Sequence, residues 1–291
     1  MIRALCNESS DGLGFDPSVL VPVGSMHIRD LTAPSTPRGI HPILKVPEIT
    51  VYFWIVKLLS TAMGESTSDY LVYQIDPYVA VAFGCIALGI ALLLQFLARG
   101  YVAWRYWLAV SMVAVFGTMA ADVLHVVIGI PYLVSTVFFA TILVIVFVTW
   151  YASEKTLSIH TVYAGRREVF YWATVMATFA LGTAAGDLTA STLGLGYFTS
   201  ILLFAVLFTI PAVGYWWFGL NGVVAFWFAY IVTRPLGASV ADWLGKRILG
   251  GLGLGDQKVA PVLTILIVGF VVYLTVTRKD RPDEQRSRAL A

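Results

Sequence analysis

Between Leu188 and Thr233 the chain contains no Asp, Glu, Lys or Arg. One bilayer crossing takes about 20 apolar residues, so this run is long enough to cross twice, and no water-facing surface can be built from it. The rest of the chain has the same bias. Hydrophobic residues make up 58% and charged residues 12%, whereas soluble domains carry about 25% charged residues. The composition therefore implies an all-α membrane protein in contact with lipid. The formal charge of +2 does not call for a nucleic-acid partner, because Lys and Arg collect in short linkers and at the C-terminus, where membrane orientation accounts for them. Cys6 and Cys85 match neither a disulfide framework nor a metal signature.

Apolar windows predict eight spans: Val51–Ile75, Pro77–Leu97, Ala103–Ile128, Pro131–Tyr151, Val169–Thr192, Tyr197–Phe218, Gly222–Leu244 and Val259–Val276. Pro47, Pro77 and Pro131 stand at or near their starts, where a missing N–H is harmless. Residues 1–46, rich in Pro, Gly and Ser and without an apolar signal-peptide core, are expected to be a disordered tail, with Met1 and Met26 both open as the natural start. The membrane domain is expected over 47–277, followed by a basic tail over 278–291. Linkers after spans two and four carry Arg99, Arg105, Lys155, Arg166 and Arg167, and those after spans one, three and five carry no Lys or Arg. The positive-inside rule then predicts that both termini are cytoplasmic. Lys246, Arg247 and Lys258, after span seven, run against that pattern.

The odd-numbered spans align with one another. FWIVKLLSTAMGESTSD, YWLAVSMVAVFGTMAAD, YWATVMATFALGTAAGD and FWFAYIVTRPLGASVAD share an aromatic–Trp pair, a Gly and an Asp at fixed spacing. The columns are Trp54, Trp107, Trp172 and Trp227; Gly64, Gly117, Gly182 and Gly237; and Asp69, Asp122, Asp187 and Asp242. Random placement of these residue types predicts on the order of 0.03 such triplets, and four are present. After each Asp comes a turn signal (IDPY, GIPY, GLGY, GLGD) and then a plain apolar helix. The unit is thus a decorated helix and a plain one, with repeats over about 47–99, 100–155, 165–219 and 220–277.

This pattern, with stretches such as EKTLSIHTVYAGRREVFYW and ATFALGTAAGD, resembles a bacterial family of integral membrane proteins built from four tandem two-span repeats with a signature tryptophan, a family carried under a domain-of-unknown-function label. The resemblance covers about residues 47–277 and implies the eight-span architecture. It supplies no substrate.

With two spans per unit, every decorated helix crosses in the same direction, so the repeats are parallel and related by rotation about the membrane normal, as a pseudo-fourfold or twofold arrangement. The Asp column then lies at one depth, roughly 22 Å along each helix from the Trp column. A charge at the bilayer centre costs about 2.5–3.5 kcal/mol. Lys57, Glu65, Asp69, Asp122, Asp187, Arg234 and Asp242 together would cost on the order of 20 kcal/mol unless they face one another or water. Lys57, Thr61, Glu65 and Asp69 form one stripe at i, i+4, i+8 and i+12. Thr118 and Thr183 occupy the Glu65 column, and Arg234 occupies the Thr61 column beside Pro235, which is expected to kink its helix. Glu65, between Asp69 and Lys57 on this stripe, is expected to feel a like charge on one side and a base on the other. The Gly column reads as close helix packing, and the Trp column as an aromatic belt at the membrane interface, like Trp216 and Trp217.

Acids outnumber bases along the stripe, and carboxylates with hydroxyls suit hard cations. The expected function is a secondary transporter or conduit for a small cation, whether Mn²⁺ or Mg²⁺, a proton or a small amine. Its binding residues would be Glu65, Asp69, Asp122, Asp187, Asp242, Lys57, Thr61, Thr118, Thr183 and Arg234, with the five acids as candidate metal ligands. A non-transporting scaffold or sensor with a structural polar core is the alternative, and a second copy of the chain is a candidate partner. His125 and His160 are isolated in sequence, so no haem is expected. No cofactor or enzyme motif is found: there is no Walker A loop, G-x-S-x-G or H-E-x-x-H.

Overall fold

The computed structural model describes residues 43–282, which contain eight long helices and no strand. They are α1 (Val51–Gln74), α2 (Pro77–Phe96), α3 (Ala103–Asp122), α4 (Tyr132–Glu154), α5 (Arg166–Asp187), α6 (Gly196–Phe218), α7 (Gly222–Gly245) and α8 (Asp256–Thr277). Seven of them, α2 to α8, are long and apolar enough to cross a membrane. The eighth, α1, has the length but carries Lys57, Glu65 and Asp69.

The caps explain several boundaries. Thr50 accepts from the Phe53 N–H to start α1, and Asn221 accepts from Val223 and Val224 to start α7. Asp76 accepts from Tyr78 and Val79, with Pro77 at the first helical position of α2. At the other end of α3 and α5 the helix widens directly after the Asp column into a π-turn, Val123–Val127 and Leu188–Thr192. Each π-turn closes on a glycine with positive φ, Gly129 (+76°) and Gly194 (+69°), a conformation other residues adopt at a cost. The predicted spans ran through these turns as though α-helical. Local composition does not signal a π-turn, and none follows Asp69 or Asp242. Pro235 stands inside α7, which is assigned as one continuous helix to Gly245.

The decorated helices form a closed ring of neighbours, α1 on α3, α3 on α5, α5 on α7 and α7 on α1. Each plain helix lies chiefly against the decorated helix of the following repeat: α2 on α3, α4 on α5, α6 on α7, and α8 back on α1. The repeats are therefore interlocked rather than stacked as independent hairpins. Burial follows the same division. Of the most apolar stretch, 22–28% is buried in the plain helices and 61–72% in α3, α5 and α7. The outward apolar faces of the plain helices suit lipid, which tolerates no exposed backbone or charge.

The Gly column makes the ring this tight, and its contacts are cyclic. A methyl group added at Gly64 would meet Ala114, at Gly117 Phe179, at Gly182 the Arg234 stem, and at Gly237 Thr61. Each glycine thus faces the residue of the next repeat that stands in the Thr61 column.

The Trp column is not an interfacial belt. Trp54, Trp107, Trp172 and Trp227 are 1–9% exposed, and the preceding Phe53, Tyr106, Tyr171 and Phe226 are buried with them. Their rings pack across the bundle, Phe53 with Trp107 and Phe226, Tyr106 with Tyr171 and Trp172, Tyr171 with Trp227. Depth along a helix does not reveal which face a residue occupies, and here the aromatic faces point inward. Trp216 and Trp217 do face outward.

This aromatic end is closed further by chain. Of the expected 1–46 tail, only residues 43–46 are described, and they are packed: the Lys45 N–H donates to Val162 O, and the buried Lys45 Nζ lies 2.5 Å from Glu168 Oε2. The Glu48 N–H donates to Asp280 O at 2.9 Å, so the two ends of the described chain meet on one side of the bundle. Burial, with the Asp280 carboxylate beside it, pushes the Tyr101 hydroxyl up well above its usual range. The rest of the expected tails, residues 1–42 and 283–291, lies outside the described residues.

The glycine contacts generate a matched comparison. At Gly64 an added methyl meets Ala114 Cβ at 2.4 Å and its backbone carbon at 2.8 Å, whereas at Gly89 and Gly269, on plain helices, it meets nothing within 4 Å. Gly64→Ala is expected to lower thermal stability in detergent by about 1–3 kcal/mol, the usual effect of overpacking. Gly89→Ala and Gly269→Ala should be neutral or slightly stabilising. Equal melting temperatures for all three variants would contradict the ring.

Candidate functional site

Below the aromatic layer, the centre of the ring is polar, and Arg234 organises it. Its side chain is fully buried. From α7 one guanidinium nitrogen, Nη2, directs its two hydrogens at three acceptors, Glu65 Oε2 on α1 at 2.6 Å, Thr183 Oγ1 on α5 at 2.7 Å and Thr118 Oγ1 on α3. The other terminal nitrogen donates to the Thr61 carbonyl at 3.5 Å. Three members of one sequence column, Glu65, Thr118 and Thr183, thus converge on the base supplied by the fourth repeat. Ala238 occupies that column in α7. Thr118 Oγ1 also donates to Glu65 Oε2 at 3.3 Å. A buried guanidinium needs such a set of acceptors, since an unpaired buried charge is strongly destabilising.

Lys57 behaves differently from its neighbours on the stripe. It does not pair with Glu65, whose partner is Arg234. Its buried Nζ sits 3.9 Å from the Phe179 ring centre and 4.0 Å from that of Tyr230, and the nitrogen has no hydrogen-bond partner among the described residues. It belongs to the aromatic layer. Thr61 contributes its carbonyl to Arg234, and its hydroxyl donates to Leu58 O.

The four Asp residues lie at the opposite end from the Trp column and divide into two groups. Glu65, Asp69 and Asp242 each offer an oxygen, all within 4.8 Å of one another. Lys246 binds two of these acids, at 2.9 Å from Asp69 Oδ2 and 2.7 Å from Asp242 Oδ1. Burial opposes the Lys246 charge, but the carboxylates of Asp242, Asp69 and Glu65 outweigh it and hold the ammonium well above its ordinary range. The second group is Asp122, His125 and Asp187, again with ligand atoms within 4.8 Å of one another. No Lys or Arg forms a salt bridge to Asp122 or Asp187 among the described residues.

Lys246 and His125 are the two residues that sequence reasoning did not place. Lys246 looked like an anomalous linker charge. It stands one helical turn beyond Asp242, and that spacing was the available signal. The loop behind it folds back onto the end of α7, with the Leu252 N–H on Trp243 O at 2.6 Å and the Gly253 N–H on Lys246 O at 3.1 Å. His125 looked isolated because its partner, Asp187, comes from another repeat. The π-turn after Asp122 carries it there.

An all-helical, multi-pass membrane protein with four interlocked repeats and an acid-rich polar core is the class that this fold and site define. The chain belongs to the family described as Repeat of Unknown Function (DUF347), which matches it four times in tandem, over residues 52–101, 105–156, 170–220 and 225–280. No curated protein and no solved structure matches the chain.

The shared cation generates a test. Lys246→Met leaves the Asp69 and Asp242 carboxylates facing each other without it, and is expected to lower the melting temperature. Adding Asp242→Asn should restore part of the loss, with a coupling of about 1–2 kcal/mol between the two sites. Strictly additive effects in thermal denaturation would mean that the bridge contributes nothing.

Proposed function

We propose that this protein is a secondary transporter or conduit for a small cation, such as a divalent metal, a proton or a small amine, in the bacterial inner membrane. In this reading all eight helices span the bilayer, α1 being shielded by its neighbours, both termini are cytoplasmic, and the decorated helices surround a pseudo-fourfold axis. The observation that carries the proposal is the gathering of five carboxylates, Glu65, Asp69, Asp122, Asp187 and Asp242, at one end of the helical core against two bases, Arg234 and Lys246. An intramembrane acid cluster left under-neutralised is expensive for a merely structural core.

The layers suggest an order of events. A cation arriving at the acid end meets Asp122, Asp187 and the Asp69–Asp242 pair, where Asp187 and Lys246 retain 17% and 23% side-chain exposure. Further in, Arg234 occupies the axis and Glu65 is committed to it. Passage requires Glu65 to exchange the guanidinium for a proton or the incoming cation, while Thr118, Thr183 and the Thr61 carbonyl keep Arg234 hydrogen-bonded. Lys57 and the aromatic layer close the far side. The same closed Arg234 clasp favours the second reading, a non-transporting scaffold or sensor, because it pairs the core internally.

Purified protein in proteoliposomes, loaded with a divalent-ion indicator and a pH dye, separates the two. Under an imposed pH gradient, uptake of Mn²⁺, Mg²⁺ or a small amine is expected, and Asp69→Asn and Asp187→Asn should each reduce it at least tenfold while remaining folded. A folded protein that moves no cation would favour the scaffold, and neutral variants with full uptake would remove the carboxylates from the cation path.

A further inference from the structure

We infer that Asp122, His125 and Asp187 form a binding site for a first-row divalent transition-metal ion, a substrate class that depends on a nitrogen ligand. The inference rests on the cation-transport reading above and narrows it. The two groups of acids differ in charge. Glu65, Asp69 and Asp242 are opposed by Arg234 and Lys246, which leaves about one negative charge. Asp122 and Asp187 have no Lys or Arg in salt-bridge range among the described residues, so when ionised they supply two. A divalent cation is matched to the second group.

The independent indication is the imidazole. The His125 side chain is 3% exposed, and its Nδ1 is buried with no hydrogen-bond partner among the described residues. It faces Asp187 Oδ2 at 4.0 Å, too far for a hydrogen bond. The other nitrogen, Nε2, lies 2.5 Å from Ser135 Oγ, and Ser135 donates its own hydrogen to the Tyr132 carbonyl at 3.0 Å. With the serine hydrogen committed, Nε2–H donates to Ser135 and the neutral imidazole presents the Nδ1 lone pair to the two carboxylates. A lone pair facing carboxylates is unfavourable until a cation stands between them. Fixing the remote nitrogen of a ligating histidine by a hydrogen bond is how metal sites set its tautomer and direction.

The donor set selects the ion. One imidazole nitrogen and two carboxylates suit Mn²⁺ through Zn²⁺, with affinity rising from Mn²⁺ to Cu²⁺ and falling at Zn²⁺, whereas Mg²⁺ and Ca²⁺ prefer oxygen alone. Ligands about 2.1 Å from a metal stand about 3–3.5 Å apart, so donors now within 4.8 Å of one another need to close by at most about 1.3–1.8 Å. The π-turn holding His125, which packs its ring on Tyr132 at 4.4 Å, is the element placed to move.

The full chain, stripped of metal by a chelator and exchanged into nanodiscs, can be titrated with Co²⁺, whose visible absorption reports nitrogen and oxygen ligation, and with Mg²⁺ for comparison. One Co²⁺ per chain is expected, bound at least tenfold more tightly than Mg²⁺. Ser135→Ala, which removes the hydrogen bond and not the ligand, should weaken Co²⁺ about tenfold, and His125→Ala should weaken it more and alter the spectrum. Melting temperatures of both variants establish that they are folded, and Ser135→Ala keeps the test open if His125→Ala is not. Co²⁺ binding within threefold of the parent in both variants overturns the assignment. So does absence of Co²⁺ binding, the result expected if His125 instead carries a second proton toward Asp187. If Co²⁺ fails to bind while the same preparation moves protons or Mg²⁺ across vesicles, this site is wrong and the transport reading stands. If Co²⁺ binds through His125 and no cation is moved, the site is right and the transport reading fails.

Discussion

A guanidinium carried into the middle of an apolar bundle has to find its acceptors there, because neither water nor lipid can supply them. Arg234 obtains its set from three other helices, Glu65 from α1, Thr118 from α3 and Thr183 from α5, with the Thr61 carbonyl beside them. That requirement fixes the register of the decorated helices against one another. It also explains why the Gly column cannot carry a side chain: a methyl at Gly182 would fall 2.3 Å from Arg234 Cγ, so the arginine stem occupies the space the glycine leaves. Close helix packing and the placing of the Arg234 terminal nitrogens among their acceptors are one constraint here, seen from the two sides of the α5–α7 contact.

Around that clasp the molecule is polarised. One end is closed, with four aromatic–Trp pairs packed against one another, Lys57 held against Phe179 and Tyr230, and residues 43–50 laced to Val162 and Asp280. The other end holds the carboxylates. The repeats differ there in pairs. The first and fourth share Lys246 between Asp69 and Asp242, while the second and third place Asp122 and Asp187 before π-turns and share His125. Four copies of one motif have thus produced two chemically distinct acid pairs, one with a resident cation and one without.

The repeat, the eight helices and the Gly and Glu65 columns were legible in the sequence because each rests on spacing, and spacing survives folding. The partners of the charges were not. Glu65 has Lys57 two turns away on its own helix, and its actual partner, Arg234, lies in the fourth repeat. Likewise His125 finds Asp187 only when α3 and α5 are side by side. The inward face of Trp107 was hidden for a related reason. A tryptophan near a helix end suits both a lipid interface and an aromatic core, and only the neighbouring helices decide between them. Lys246 shows the same limit in a loop, since its role depends on a glycine-rich segment folding back over α7.

The most direct test of the Arg234 clasp is a thermodynamic cycle on Glu65 and Arg234, read from reversible denaturation in detergent. Glu65→Gln leaves a buried guanidinium without its counter-charge, and Arg234→Met leaves a buried carboxylate. Each is expected to destabilise by about 3 kcal/mol or more. The double variant should recover much of that loss, giving a coupling energy of about 2 kcal/mol or more. Additive single effects, or a Glu65→Gln protein as stable as the parent, would contradict the claim that this ion pair organises the bundle.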